Sequence, residues 1–241
     1  MVSAGIIVIG NEVLSGKVDE ANARFLITEL RALGVRLERI AIIRDELSEI
    51  AREVKAMSAL YDHVITSGGV GSTHDDVTME GVALGLEVPL VRNKWIEARI
   101  IAHFAERATP SVLRMADVPA GADLVGTESR HHPVVRAKNV WILPGVPEYL
   151  RAKFEIMRPF FATDPIHLRQ IFVGLPEDRI GDVLRDALAA VPGVEIGSYP
   201  RFDEADHKVK VTVESRDRSA VDRAIEFLLA HVPSDAVVRV E

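Results

Sequence analysis

Up to about residue 163, short apolar runs alternate with longer segments whose apolar residues recur every three or four positions. The run AGIIVIG (4–10) is apolar almost without interruption, the pattern of a strand buried on both faces. In DEANARFLITELRALGV, residues Phe25, Leu26, Leu30 and Leu33 fall at helical spacing and Gly34 supplies a stop. VRLERIAIIRD predicts a second strand, and ELSEIAREVKAMSALY an amphipathic helix with Ile50, Val54, Met57 and Leu60 on one side. DHVITSGG predicts a third strand that runs into glycines. MEGVALGL and NKWIEARIIAHFAER predict helices, and NVWILPGVPEYLRAKFEIMRPFF a strand, a Pro-Gly turn and a closing helix. Residues 116–138 show no helical period and predict loops and short strands lying over the carboxyl-end rim of the sheet.

This alternation predicts a three-layer α/β sandwich with a mostly parallel sheet over residues 1–163. In such sheets ligands bind beyond the carboxyl ends of the strands. The segments NEVLSG, RDE, TSGGVG and LPGVP all follow strands and are expected on one rim. From Asp164 the pattern changes: HLRQIFVG, EDRIGDVLRDALAAV, GVEIGSYP, DHKVKVTVES, RSAVDRAIEFLLAHV and DAVVRVE read as β-α-β-β-α-β. That order predicts a small ferredoxin-like α+β unit over residues 164–241.

The chain has 241 residues, 48% hydrophobic and 27% charged, ordinary values for a protein with a sizeable core. A net charge of −7 argues against general affinity for nucleic acid or anionic lipid, yet leaves room for one small phosphorylated ligand. The absence of cysteine excludes disulfides, thiolate zinc sites and cysteine nucleophiles, and fits a cytoplasmic location. The first residues, MVSAGIIVIGNEVLSG, are apolar too briefly for a membrane span and lack the basic start of a signal peptide.

TSGGVGSTHDDVT (66–78) concentrates the candidate chemistry. Glycines after a strand let backbone N–H groups face an anion at close range, with Ser67, Ser72 and Thr73 as further donors. A helix starting near Asp76 would aim its positive end at the same place. The adjacent carboxylates then suit a hard divalent cation that bridges phosphate oxygens. The same residues also suit a plain turn, with Thr73 and Asp76 as a capping box. His74 has the chemistry of a proton carrier, but a lone loop histidine is more often solvated. His131 and His132 have no third ligand nearby in sequence and point to a surface role rather than zinc.

IGNEVLSGKVDEANARFL, RDELSEI, TSGGVGSTHDDVT, RMADVPAGADLV and LPGVPEYL, in that order, resemble the molybdopterin-binding fold family. The similarity covers about residues 3–160 and is greatest to its CinA branch and to the molybdopterin-like domain of FAD synthases. The tail resembles the small domain that follows in that branch. The resemblance implies metal-dependent cleavage of ADP-ribose, FAD or a similar dinucleotide to AMP and a phosphate ester. The alternative it implies is a non-hydrolytic module that binds molybdopterin or a nucleotide. Carried onto this chain, Ser67, Gly68, Gly69, Gly71, Thr73 and Gly145 would hold the phosphates, Asp76 and Asp45 would be catalytic, and Asp76, Asp45 and Glu12 would bind Mg, Mn or Co. The Asp-x-x-Asn of the first helix becomes Asp19 and Asn22. Relatives form dimers or trimers, so a homo-oligomer is expected. The sequence departs from the CinA pattern at Ser72, where proline is usual, and at GNE (10–12), where Gly-Asp-Glu is common. The amidase domain of full CinA proteins is not expected to contribute here.

Overall fold

In the computed structural model the chain divides into two compact units, Met1–Thr163 and Asp164–Glu241. The structure describes residues 2–128, 133–161, 163–201 and 206–241. His131 and His132 therefore lie outside the described residues.

In the first unit, β1 (Ser3–Ile9) is followed by α1 (Asn11–Leu14), α2 (Asn22–Ala32), β2 (Arg36–Ile43), α3 (Leu47–Leu60), β3 (His63–Ser67) and α4 (Thr78–Gly85). Then come β4 (Leu90–Arg92), α5 (Lys94–Phe104), α6 (Pro110–Leu113), β5 (Asp117–Pro119), β6 (Asp123–Val125), β7 (Val134–Ala137), β8 (Val140–Leu143) and α7 (Pro147–Met157). The main sheet has the order β2-β1-β3-β8-β7-β6. β2, β1, β3 and β8 run parallel, while β7 and β6 are antiparallel additions at one edge.

Alternation along β1 accounts for the three layers. Ile7 and Ile9 pack with Ile50, Val54 and Met57 of α3 and Val82 of α4. Ile6 and Val8 pack on the opposite face with Leu26 and Leu30 of α2 and Leu150, Phe154 and Met157 of α7. Each such fully buried side chain stabilises the fold by about 1.5–3 kcal/mol, so this one strand anchors both cores. Trp141 of β8 is fully buried and lies against Phe161, with ring centroids 5.3 Å apart.

Two local expectations are corrected. NEVL forms the single helical turn α1 rather than an open loop. Part of 116–138 extends the main sheet as β6 and β7 instead of lying over its rim, because Val134 and Val135 alternate into the two cores.

In the second unit, β9 (His167–Val173), α8 (Gly181–Ala190), β10 (Glu195–Pro200), β11 (Val209–Ser215), α9 (Arg218–His231) and β12 (Val237–Val240) form an antiparallel sheet of order β10-β11-β9-β12. Val209, Val211 and Val213 of β11 join Ile171, Val173 and the apolar side of α9 in one core. Lys210 and Thr212 alternate onto the opposite face. Among the described residues no helix is long and apolar enough to cross a membrane.

Candidate functional site

Because β1, β2, β3 and β8 are parallel, their carboxyl ends (Ile9, Ile43, Ser67 and Leu143) share one edge of the sheet. The loops leaving them are tied together. Gly10 N–H donates to Ile43 O at 3.1 Å, Gly68 N–H to Leu143 O at 3.1 Å, and Asn11 N–H to Asp45 Oδ2 at 2.7 Å. The buried Asn22 of α2 donates its amide to Ser67 Oγ at 3.0 Å and to Gly145 O at 2.7 Å.

The glycine loop is bare for a geometric reason. Gly68 and Gly69 adopt φ of 108° and 63°, conformations that side chains resist. A Cβ on Gly68 would stand 2.1 Å from Ile9 O, and one on Gly69 2.4 Å from Thr78 Oγ1. Thr78, fully buried at the start of α4, pins the loop by donating its N–H to Gly69 O at 3.0 Å and its hydroxyl to Gly68 O at 2.9 Å. The same point on Gly69 lies 3.5 Å from Asp45 Oδ1, and a Cβ on Gly145 would lie 3.4 Å from Gly68 Cα. Asp45, Gly68, Gly69 and Gly145 are therefore neighbours on one rim.

The carboxylates behave differently from one another. Burial holds the Asp45 carboxyl above its ordinary value, opposed by the Asn11 N–H, and the charges of Glu12 and Asp75 push it further up. The Thr73 hydroxyl holds Asp75 below its ordinary value. Thr73 N–H donates to Asp76 Oδ2 at 2.8 Å, and its hydroxyl, with a single proton, stands 2.5 Å from that oxygen and 2.6 Å from Asp75 Oδ1. The expected capping box is thus corrected: α4 begins at Thr78 with Val77 before it, and Thr73 and Asp76 close a separate turn upstream. His74 is almost fully exposed.

Two assignments change. Ser67 is only 1% exposed and its oxygen accepts from Asn22, which makes it a brace inside the rim rather than an open phosphate ligand. Among the described residues no three histidine, aspartate or glutamate side chains stand together as a cation site, so Asp76, Asp45 and Glu12 are not assembled as a set. Asp76 is turned into its own loop toward Thr73, while Asp45 faces Asn11 and Gly69. The chemistry of the pair Asp45 and Glu12 still fits a hard divalent ion, which commonly takes one or two carboxylates and completes its shell with water and phosphate oxygens. Crowded negative charge at a partly buried Asp45 is the condition such an ion relieves.

Three contributors have roles that the sequence alone does not assign. Thr78 was hidden at the end of the motif, Asp75 was masked by its neighbour, and Arg114 reaches from the end of α6 to donate to Thr73 O at 3.2 Å. All three act through contacts that only the assembled fold creates.

Comparison with known proteins shows the family. Residues 5–163 match the family described as a probable molybdopterin binding domain, and residues 165–241 the middle domain of FAD synthase. A probable FAD synthase of Caenorhabditis briggsae is 34% identical over 95% of this chain and 50% of its own length. A protein of Archaeoglobus fulgidus is 33% identical over 92% of this chain and 94% of its own. A CinA-like protein of Thermotoga maritima is 30% identical over 95% of this chain and 58% of its own. The chain thus spans about half the length of the FAD synthase and CinA-like relatives. The crystal structure of CinA from Thermoplasma acidophilum, 29% identical, superimposes with a TM-score of 0.60 over 67% of this chain and 99% of its own.

Proposed function

The chain belongs to the molybdopterin-binding domain family, and from that membership and the rim at Gly69 we propose that it hydrolyses a dinucleotide pyrophosphate such as ADP-ribose or FAD to AMP and a second phosphate ester. The observation that supports the reading is Asp45 Oδ1 beside the bare backbone of Gly69 at the carboxyl-end rim of the sheet. FAD is among the candidates because the nematode relatives are named for it.

Without side chains, Gly68, Gly69 and Gly71 let the loop fold closely against Ile9, Thr78 and Asp76, and its backbone N–H groups would receive the phosphate oxygens. Gly145 stands beside Gly68, and Thr73 and Arg114 hold the approach. Asp45 orients the attacking water and takes its proton, a role suited to a carboxyl whose affinity for protons is raised by burial. The water oxygen bonds to one phosphorus, the bridging P–O bond breaks, and the bridging oxygen leaves with the other phosphate. A divalent ion held by Asp45 and Glu12 would neutralise charge on the diphosphate. Asp76 supports the loop through Thr73.

Incubation with ADP-ribose or FAD and Mg²⁺, Mn²⁺ or Co²⁺ tests this by release of AMP. No AMP with any of these ions overturns it. The second reading, a pterin or nucleotide binder without turnover, is favoured by the engagement of Asp76 with Thr73 and would appear as saturable binding with no product.

A further inference from the structure

The second unit carries an open concavity of about 430 Å³ on the sheet face opposite its helices. One transverse row crosses all four strands there. Tyr199 of β10 pairs with Lys210 of β11, Lys210 with Phe172 of β9, and Phe172 with Arg239 of β12. Gln170 lies on the same face two positions before Phe172, and Arg201 continues β10 with its N–H bonded to Lys208 O at 2.7 Å.

Among the described residues, the acids at this place are already committed. Asp206 contacts Arg239 with one oxygen and His207 Nδ1, at 2.6 Å, with the other. Glu241 accepts from Arg239 Nε at 2.9 Å. His207 is 5% exposed and sets its ring edge-on to Phe172, 4.9 Å between centroids, so the corner is rigidly built. Among the described residues Arg201 and Lys210 have no carboxylate partner, although both line the concavity. Two cations without a carboxylate partner among the described residues, beside a third, constitute a local positive field.

That field stands on an acidic background. Residues 164–241 hold 15 acidic and ten basic residues, which disfavours an extended polyanion. The aromatic faces are also engaged: Arg239 Cζ lies 3.7 Å from the Phe172 ring centroid and Lys210 Nζ 5.4 Å from that of Tyr199. They offer no stacking platform for successive bases.

We propose that this concavity is a second binding site, separate from the glycine loop, for a small phosphate-bearing molecule held by Arg201, Lys210 and Arg239. A phosphate dianion balances the charges of Arg201 and Lys210, and the Gln170 amide supplies a neutral donor to a further oxygen. Nothing in this assignment depends on the reaction proposed for the first unit.

The test is an amide-shift titration of the ¹⁵N-labelled full chain with inorganic phosphate against sodium chloride of equal ionic strength. Saturable shifts are expected at Gln170, Phe172, Lys210 and Arg239. Lys210→Met and Arg201→Gln should each weaken binding by about tenfold, the size of one charge-assisted contact. Asp45→Asn should leave these shifts unchanged. Shifts that fail to saturate, that chloride reproduces, or that survive both variants overturn the site. So does tighter binding of an unphosphorylated-end oligonucleotide at the same amides, which would make the surface a polyanion track.

Discussion

The side-chain amide of Asn22 donates to the backbone carbonyl of Gly145 at 2.7 Å, a bond spanning 123 positions of the chain. With its second bond to Ser67 Oγ, this buried amide fixes the loop after β3 against the loop after β8. Asn22→Leu removes both donors and deprives the buried Ser67 hydroxyl and the part-buried Gly145 carbonyl of this partner. A loss of about 1–3 kcal/mol is expected in denaturant unfolding. Asn22→Asp should also destabilise: the Ser67 hydroxyl can turn to donate to the carboxylate, but the Gly145 carbonyl then faces an acceptor and the charge is buried. AMP release should fall in both.

Gly69→Ala should cost more than Gly121→Ala, although both glycines have positive φ, 63° and 77°. At Gly121 nothing stands within 4 Å, so only the left-handed penalty of about 1–2 kcal/mol applies. At Gly69 the new methyl meets Thr78 Oγ1 at 2.4 Å and disturbs its bond to Gly68 O. Paired melting curves check the order, and only Gly69→Ala should abolish turnover.

These contacts mark where the sequence stopped being readable. The uninterrupted apolar run of β1 predicts burial on both faces, and parallel strands then force their following loops onto one rim; that Asp45 stands beside Gly69 depends further on the strand order β2-β1-β3. Spacing does not reveal that Asn22 would bond Gly145, because a hydrogen bond across 123 positions has no local signature. Thr73 and Asp76 illustrate the opposite failure. Their spacing fits a cap, and they do bond, but the helix waits until Thr78, whose own contacts with Gly68 and Gly69 set its start. Short strands are expected in 116–138, but that β6 and β7 extend the main sheet is not legible, because three- and four-residue strands carry too few positions to show alternation. The row Tyr199–Lys210–Phe172–Arg239 depends on register across four strands, which the sequence does not fix.

His63 gives the first unit a pH dependence. Its ring lies 4.4 Å from that of Phe161, and Trp141 Nε1 donates to its Nδ1 at 3.3 Å, an arrangement that requires the neutral imidazole. Burial holds its pKa below 6.5, with Asp62 opposing and Arg136 adding to the shift. As pH falls through 6.5 the unfolded chain takes up a proton that the folded state resists, so stability decreases on acidification. His63→Gln removes this proton uptake. Urea midpoints at pH 7.5 and 5.5 should differ less for the variant than for the wild type.

Asp45→Asn separates stability from chemistry. The raised pKa means that the folded state holds the Asp45 proton more tightly than the unfolded chain does. Stability contributed by this group is therefore present at low pH and is lost as pH rises through the interval between the unfolded and folded values, so at neutral pH the carboxylate is a net cost. Asparagine keeps an oxygen for the Asn11 N–H, at 2.7 Å in the parent, and removes the charge beside Glu12 and Asp75. The melting temperature of the variant at pH 7 should equal or exceed that of the parent. Its AMP release should fall by about 10²-fold or more, as when a positioned proton acceptor is lost. The two movements in opposite directions distinguish a site carboxylate from a structural one, and a variant that melts earlier yet turns over at the parent rate removes Asp45 from the chemistry.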